Sequence, residues 1–226
     1  METLIIKNNV NPHWYPQTVE KYKRSIKVPY DTPENYRLNS NFAYSMQYIE
    51  YLEKQINELI LPSVLKKMIY KSYIITGMGI IELLLVYRLK TTNNWNTTEW
   101  LEINKFVANS KEIEGVVLKT ETVLYKKVDQ TDMRMDLDSM IKKAERKHIF
   151  SIDHNVFPAL KQLRELRNRV HLQIGEDSLD HDYNRIHKEE VQMMRRILYA
   201  VLTAPEICNH KSTFDFINES YIINEQ

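Results

Sequence analysis

The sequence predicts a mainly α-helical bundle, on three observations. Glycine is scarce, four in 226 residues, which argues against a loop-rich β architecture. The most apolar run, YIITGMGIIELLLVY from Tyr73 to Tyr87, is 15 residues long and carries Glu82, whereas a membrane-spanning helix needs about 20 mostly uncharged residues. It therefore reads as a core helix. Four or five further segments place apolar side chains at helical spacing. A small β insertion near residues 115–128 and an N-terminal arm complete the prediction.

The elements follow in chain order. Pro12, Pro16, Pro29 and Pro33 interrupt any helix in residues 1–39, and the aromatics Trp14, Tyr15, Tyr22, Tyr30 and Tyr36 suggest an arm packed on the body formed by residues 40–226. Asn39 or Ser40 can cap a first helix reaching Leu61, with Tyr44, Tyr48, Tyr51 or Leu52, Gln55 and Leu59 at helical spacing. Pro62 separates it from a second helix, Ser63 to Lys90, the longest and most buried. Thr91 to Thr98 is an Asn-rich connection, followed by a short helix through Trp100 and Phe106. GVVLKTETVLYKKV, residues 115–128, is rich in β-branched residues and partly alternates, as a strand pair would. Thr131 to Lys147 returns to helix, with Met133, Leu137, Met140, Ile141 and Ala144 inward. The next helix starts at Asp153 or His154 and stops at Gly175. A last helix runs from Tyr183 to Thr203, ahead of Pro205.

Composition narrows the function. Lys plus Arg (31) balance Asp plus Glu (30), so RNA binding would rest on a local cluster rather than a bulk field. The one cysteine, Cys208, excludes an internal disulfide and a cysteine-rich zinc site, and fits a reducing cytoplasm. The first 16 residues lack the layout of a signal peptide. No phosphate-cradling glycine pattern occurs, so no cofactor is expected, and no membrane partner.

The segment richest in chemistry is ALKQLRELRNRVHLQIG, residues 159–175. With about 100° per residue, Leu163, Leu166, Val170 and Ile174 form a core stripe. Arg164, Arg167, Asn168 and His171 share a polar strip beside it, while Glu165 and Arg169 point elsewhere. Cleavage of RNA by its own 2′-hydroxyl needs a group that moves protons near neutral pH and cations that stabilise a charged phosphorane. Histidine suits the first role and arginine the second. No metal is called for, because the other histidines show no ligand-pair spacing within a helix; His181 and His187, near Asp180 and Asp182, are better read as a solvated helix start. The same strip could also be a solvated, salt-bridged face.

The string LRELRNRVH resembles the signature of HEPN domains, in which four to six residues stand between an arginine and a histidine, commonly with Asn after an arginine. Arg164 meets that spacing, with six residues between it and His171. Arg167 supplies the Arg-Asn pair but leaves only three residues between it and His171, so either arginine could take the catalytic role. ITGMGIIELLLVYRL, residues 75–89, resembles the long early HEPN helix, with Glu82 as its acidic position. A carboxylate in so apolar a run needs a partner, and an arginine of the 164–171 helix is the natural one. The resemblance covers about residues 63–203.

Several expectations follow from the resemblance. The fold would be a HEPN-like bundle that forms a homodimer with its signature helices side by side. The activity would be metal-independent endoribonuclease cleavage of tRNA, mRNA or rRNA, leaving 2′,3′-cyclic phosphate ends. His171 would act as general acid/base, Arg164 and Arg167 would hold the phosphate, and Asn168 and Glu82 would orient the site. The biological setting would be anti-phage defence or a toxin–antitoxin system, with an antitoxin or regulatory partner. The tyrosine that one branch modifies is replaced by Gln173, so that form of control is not expected. Two other readings stand beside this one: a non-catalytic HEPN module binding RNA or nucleotide, and a plain helical interaction protein.

Overall fold

The computed structural model describes residues 14–169 and 181–218. It is mainly helical, as predicted, with a β part. The order is α1 (Val19–Ser25), α2 (Pro33–Glu58), α3 (Ser63–Thr91), β1 (Thr97–Val107), β2 (Lys111–Ile113), β3 (Val116–Leu118), β4 (Glu121–Asp132), α4 (Leu137–Lys147), α5 (Val156–Asn168), α6 (Asp182–Arg185), α7 (Lys188–Leu202) and a 3₁₀ helix, Lys211–Ile217.

α3 is the axis of the bundle. By length and composition it could cross a membrane; here α2, α4, α5 and α7 all pack against it. Its Tyr73, Ile74, Met78, Ile81, Leu84 and Leu85 are fully buried. At Gly77 the absence of a side chain matters, because a Cβ there would stand 2.9 Å from Met194 Sδ on α7. The two helices approach closely through that gap. α7 and α2 are tied inside the core by an ion pair: Arg195 Nε and Nη2 donate to Glu53 Oε1 and Oε2 at 2.7 and 2.5 Å, both side chains 5–6% exposed. Burial alone would lower the Arg195 pKa, but the Glu53 carboxylate more than offsets it and raises the value.

The N-terminal region is more structured than its prolines suggested. α1 forms between them, capped by Thr18, whose Oγ1 accepts from the Lys21 N–H at 3.2 Å. Its Tyr22, with Ile26 and Val28 beyond it, is buried in the main core. Ile26 pairs antiparallel with Cys208, and the Lys27 N–H donates to Ile207 O at 2.7 Å. α2 begins at Pro33 rather than at Asn39 or Ser40: proline is tolerated in the first helical turn, and Thr32 caps it by accepting from the Asn35 N–H at 3.1 Å. The face of α2 that turns inward carries Phe42, Ala43, Met46, Ile49 and Leu52. Of the residues read at helical spacing, Leu52 turns inward while Tyr44, Tyr48 and Tyr51 face out.

The β part is larger than predicted. No helix passes through Trp100 and Phe106; they lie on β1, which pairs antiparallel with β4 over residues 97–132. The tip is a second small hairpin, β2 with β3, closed by Glu114 and Gly115, both at positive φ (52° and 78°). A two-residue turn of that kind matches the right-handed twist of the strands. Residues 131–136 are likewise not helical; α4 starts at Leu137, its N-cap Asp136 accepting from the Ser139 N–H at 2.7 Å. Met133 is therefore exposed, and Met135 fills the inward place. Beyond the gap in the described residues, the predicted last helix is two, α6 and α7. They break at Ile186 and His187, where the His187 N–H donates to Glu190 Oε2 at 2.8 Å.

Candidate functional site

α5 starts at Val156, slightly later than predicted, with Pro158 harmless in the first turn. Phe157, Leu160 and Leu163 bury one face, and Leu166 packs partly against the core. That burial fixes the rotation of the helix and so decides where its polar residues point. Val170, His171, Gln173, Ile174, Gly175 and Asp180 lie outside the described residues.

Three arginines at the C-terminal end of α5 each meet a carboxylate from a different helix. Arg164 Nη1 lies 3.0 Å from Asp138 Oδ1 on α4. Arg167 Nη2 donates to Glu82 Oε2 on α3 at 2.8 Å. Arg169, the residue that caps α5, places Nε 3.4 Å from Asp182 Oδ1 on α6. Asp182 also accepts from Lys71 Nζ at 2.6 Å, and Asp138 pairs with Lys142 at 2.5 Å.

The pairing expected for Glu82 is thus present, with Arg167 rather than Arg164 as its partner. Both groups are about one-third exposed (35% and 31%), so the pair is neither a free surface bridge nor a sealed core charge. Asn168 is exposed at the last turn of α5. Arg164, Arg167 and Asn168 therefore lie along the last two turns of α5, with Arg167 against Glu82 in the interior of α3, and His171 follows in the chain three residues beyond Asn168.

Sequence reading missed the three other acidic and basic members, Asp138, Asp182 and Lys71. Each sits in a charge-rich stretch that looks like a solvated helix face, and only the packing of α4, α6 and α3 around α5 brings them in. The Asp136 carboxyl beside them is held below the usual range by the Ser139 hydrogen bond, with a smaller contribution from the positive charge of Arg164. Further along α4 a cavity of about 330 Å³ is lined by Asn96, Met135, Ser139, Lys142, Lys143 and Arg146. Its basic wall lies one turn and more past the Asp138–Arg164 pair.

Among the described residues no cluster of three or more His, Cys, Asp or Glu side chains could hold a metal ion. The donors at the site are guanidinium and ammonium groups, suited to phosphate oxygens rather than to cations. Set against known proteins, the chain matches no family model, no curated protein and no solved structure.

Proposed function

We propose that this chain is a HEPN-type endoribonuclease that cleaves RNA without a metal, working as a homodimer in the cytoplasm. The observation that carries the reading is the end of α5. Two guanidinium groups braced by carboxylates, Arg164 on Asp138 and Arg167 on Glu82, lead directly into the Arg-Asn and His171 of the signature. Bracing restricts long side chains to one geometry, which is what a preorganised phosphate site requires.

In this mechanism His171 accepts the proton of the ribose 2′-hydroxyl as its oxygen attacks phosphorus. The bond from phosphorus to the 5′-oxygen breaks, and a proton is delivered to that leaving oxygen, from His171 of the same or the second protomer. The products are a 2′,3′-cyclic phosphate and a 5′-hydroxyl. Arg164 and Arg167 neutralise the charge that grows on the phosphorane, and Glu82 and Asn168 position them. The substrate class is tRNA, mRNA or rRNA. Anti-phage defence or a toxin–antitoxin pair, with a partner that restrains the enzyme, is the setting such an activity fits.

The second reading is a non-catalytic HEPN module. It is favoured by the same two ion pairs, because a guanidinium already paired with a carboxylate offers less charge to a phosphate. Incubation of the purified protein with total RNA and tRNA in EDTA separates the two. The nuclease reading expects cleavage with cyclic-phosphate ends, reduced about 10²- to 10⁴-fold in His171→Ala. Equal cleavage by both proteins would sink the role of His171, and RNA binding without cleavage by either would favour the module.

A further inference from the structure

Among the described residues, the two-stranded ribbon β1–β4 packs substantially on no helix. An isolated pair of strands is only marginally stable in water, yet this one carries large apolar side chains in the open: Trp100 is 54% and Tyr125 55% exposed. Its register shows how the side chains divide. A bulge between Glu102 and Asn104 resets the alternation on β1. Cross-strand partners share a face, so one face reads, from base to tip, in four rows: Trp100 with Lys127, Glu102 with Tyr125, Lys105 with Val123, and Val107 with Glu121. The ion pair of Lys105 Nζ with Glu121 Oε2 at 2.5 Å agrees with that assignment.

These rows complement themselves when reversed. If a second ribbon lies on the first with its base over the tip, β1 over β1 and β4 over β4, row one faces row four and row two faces row three. Lys127 then meets Glu121, Glu102 meets Lys105, Trp100 lies over Val107, and Tyr125 over Val123. Within these four rows every charge faces its opposite and every apolar side chain an apolar one, with Glu99 and Lys119 flanking Lys127 and Glu121 in the same chain at 3.8 and 3.3 Å. A twofold axis produces this arrangement, and the same contacts occur twice. The opposite face has no such pattern: in the same rows Lys126 is its one charge, among Leu101, Leu124 and Phe106.

We infer that this ribbon face is a self-association surface, its partner a second copy of the chain packed base to tip about a twofold axis. The inference rests on the ribbon's register and charge order and is independent of the nuclease reading. A strip about 35 Å long and two strands, about 10 Å, wide buries less than a standard specific interface, so the association is weak, reversible and rises with concentration.

The test is sedimentation velocity over a concentration series, with Lys127→Glu and Glu121→Lys made separately. Both positions are exposed on the ribbon, away from the core, and circular dichroism checks the fold. Alone, each variant sets like charges face to face twice and weakens association about tenfold or more. Mixed in equal amounts, the two variants regain two opposite-charge contacts and reassociate as a heterodimer. Charge changes within each chain are the same alone and mixed, so recovery on mixing reports only contacts between chains. A wild type whose mass stays that of a single chain, variants that keep the wild-type mass, or a mixture that fails to recover would each overturn the inference. RNA cleavage is scored separately: a dimer mass unchanged by either variant would sink this inference and leave the nuclease reading standing, whereas a single-chain mass would count against both.

Discussion

The bundle and the ribbon are built from the same kinds of residue and hold together by different means. In the bundle Ile, Leu, Met, Phe and Tyr side chains disappear from water, with Phe42, Met46, Tyr73, Leu84 and Leu198 fully buried. There the stabilisation comes from apolar area, on the order of 25 cal/mol per Å². In the ribbon Trp100, Leu101, Ile103, Phe106, Leu124 and Tyr125 are about half exposed, and what holds the strands is their mutual hydrogen bonding and cross-strand contact. Apolar content therefore says little about burial in this chain. Position relative to α3 decides it.

Breaking the bundle from inside should give the largest effect. Glu53→Ala leaves the Arg195 charge buried without its partner, and a loss of about 3–5 kcal/mol is expected in urea unfolding. Replacing both Glu53 and Arg195 with Met should recover most of that loss, because two buried charges are removed together. A double variant as unstable as the single one would show that the pair is not the source.

A smaller and more local loss is expected in the ribbon. Gly115→Ala puts a side chain on a residue at φ 78°, a strain of roughly 1 kcal/mol. Faster amide exchange in β2, β3 and the outer ends of β1 and β4, with unchanged exchange in α3, would show that the two regions open independently. Slowed or unchanged ribbon exchange would refute it.

The smallest effect is an acid one at the junction between the two regions. Asp136 caps α4 just after the ribbon returns, and its folded pKa lies below the ordinary value of 3.8. A depressed carboxyl contributes stability above that value and loses it as the pH falls through the folded pKa. Wild type should therefore exceed Asp136→Asn in thermal midpoint at neutral pH and converge on it in acid. A gap that widens on acidification would contradict the assignment.

How much of this was legible beforehand depends on how local the deciding interaction is. The bounds of α3 were, because Pro62 and a long apolar run mark them within the segment itself. That Glu82 needs a cation, with an arginine of the 164–171 segment as the natural one, was also legible; which arginine was not. The ribbon was only half seen. Residues 115–128 alternate, but WLEINKF over 100–106 has apolar residues that suit either a helix or a strand, and the choice is made by pairing with residues some twenty positions away. Glu53 and Arg195 stand among other charges on two amphipathic helices. Nothing near either one signals the other. The helical spacing of Tyr44, Tyr48 and Tyr51 or Leu52 did not say which stripe turns inward: Phe42, Met46, Ile49 and Leu52 have no hydroxyl to satisfy and take the interior.

The stitch between the two ends of the described fold has a consequence for synthesis. Lys27 finds its backbone acceptor at Ile207, and Ile26 its bridge partner at Cys208. On the ribosome the α1 segment emerges about 180 residues before that partner is made, a wait of roughly 10–35 s at ordinary elongation rates. Throughout that interval Tyr22, Ile26 and Val28 are apolar groups without their final cover. This stretch of the nascent chain is where a chaperone would be expected to bind, and it is released only as the last helices are completed.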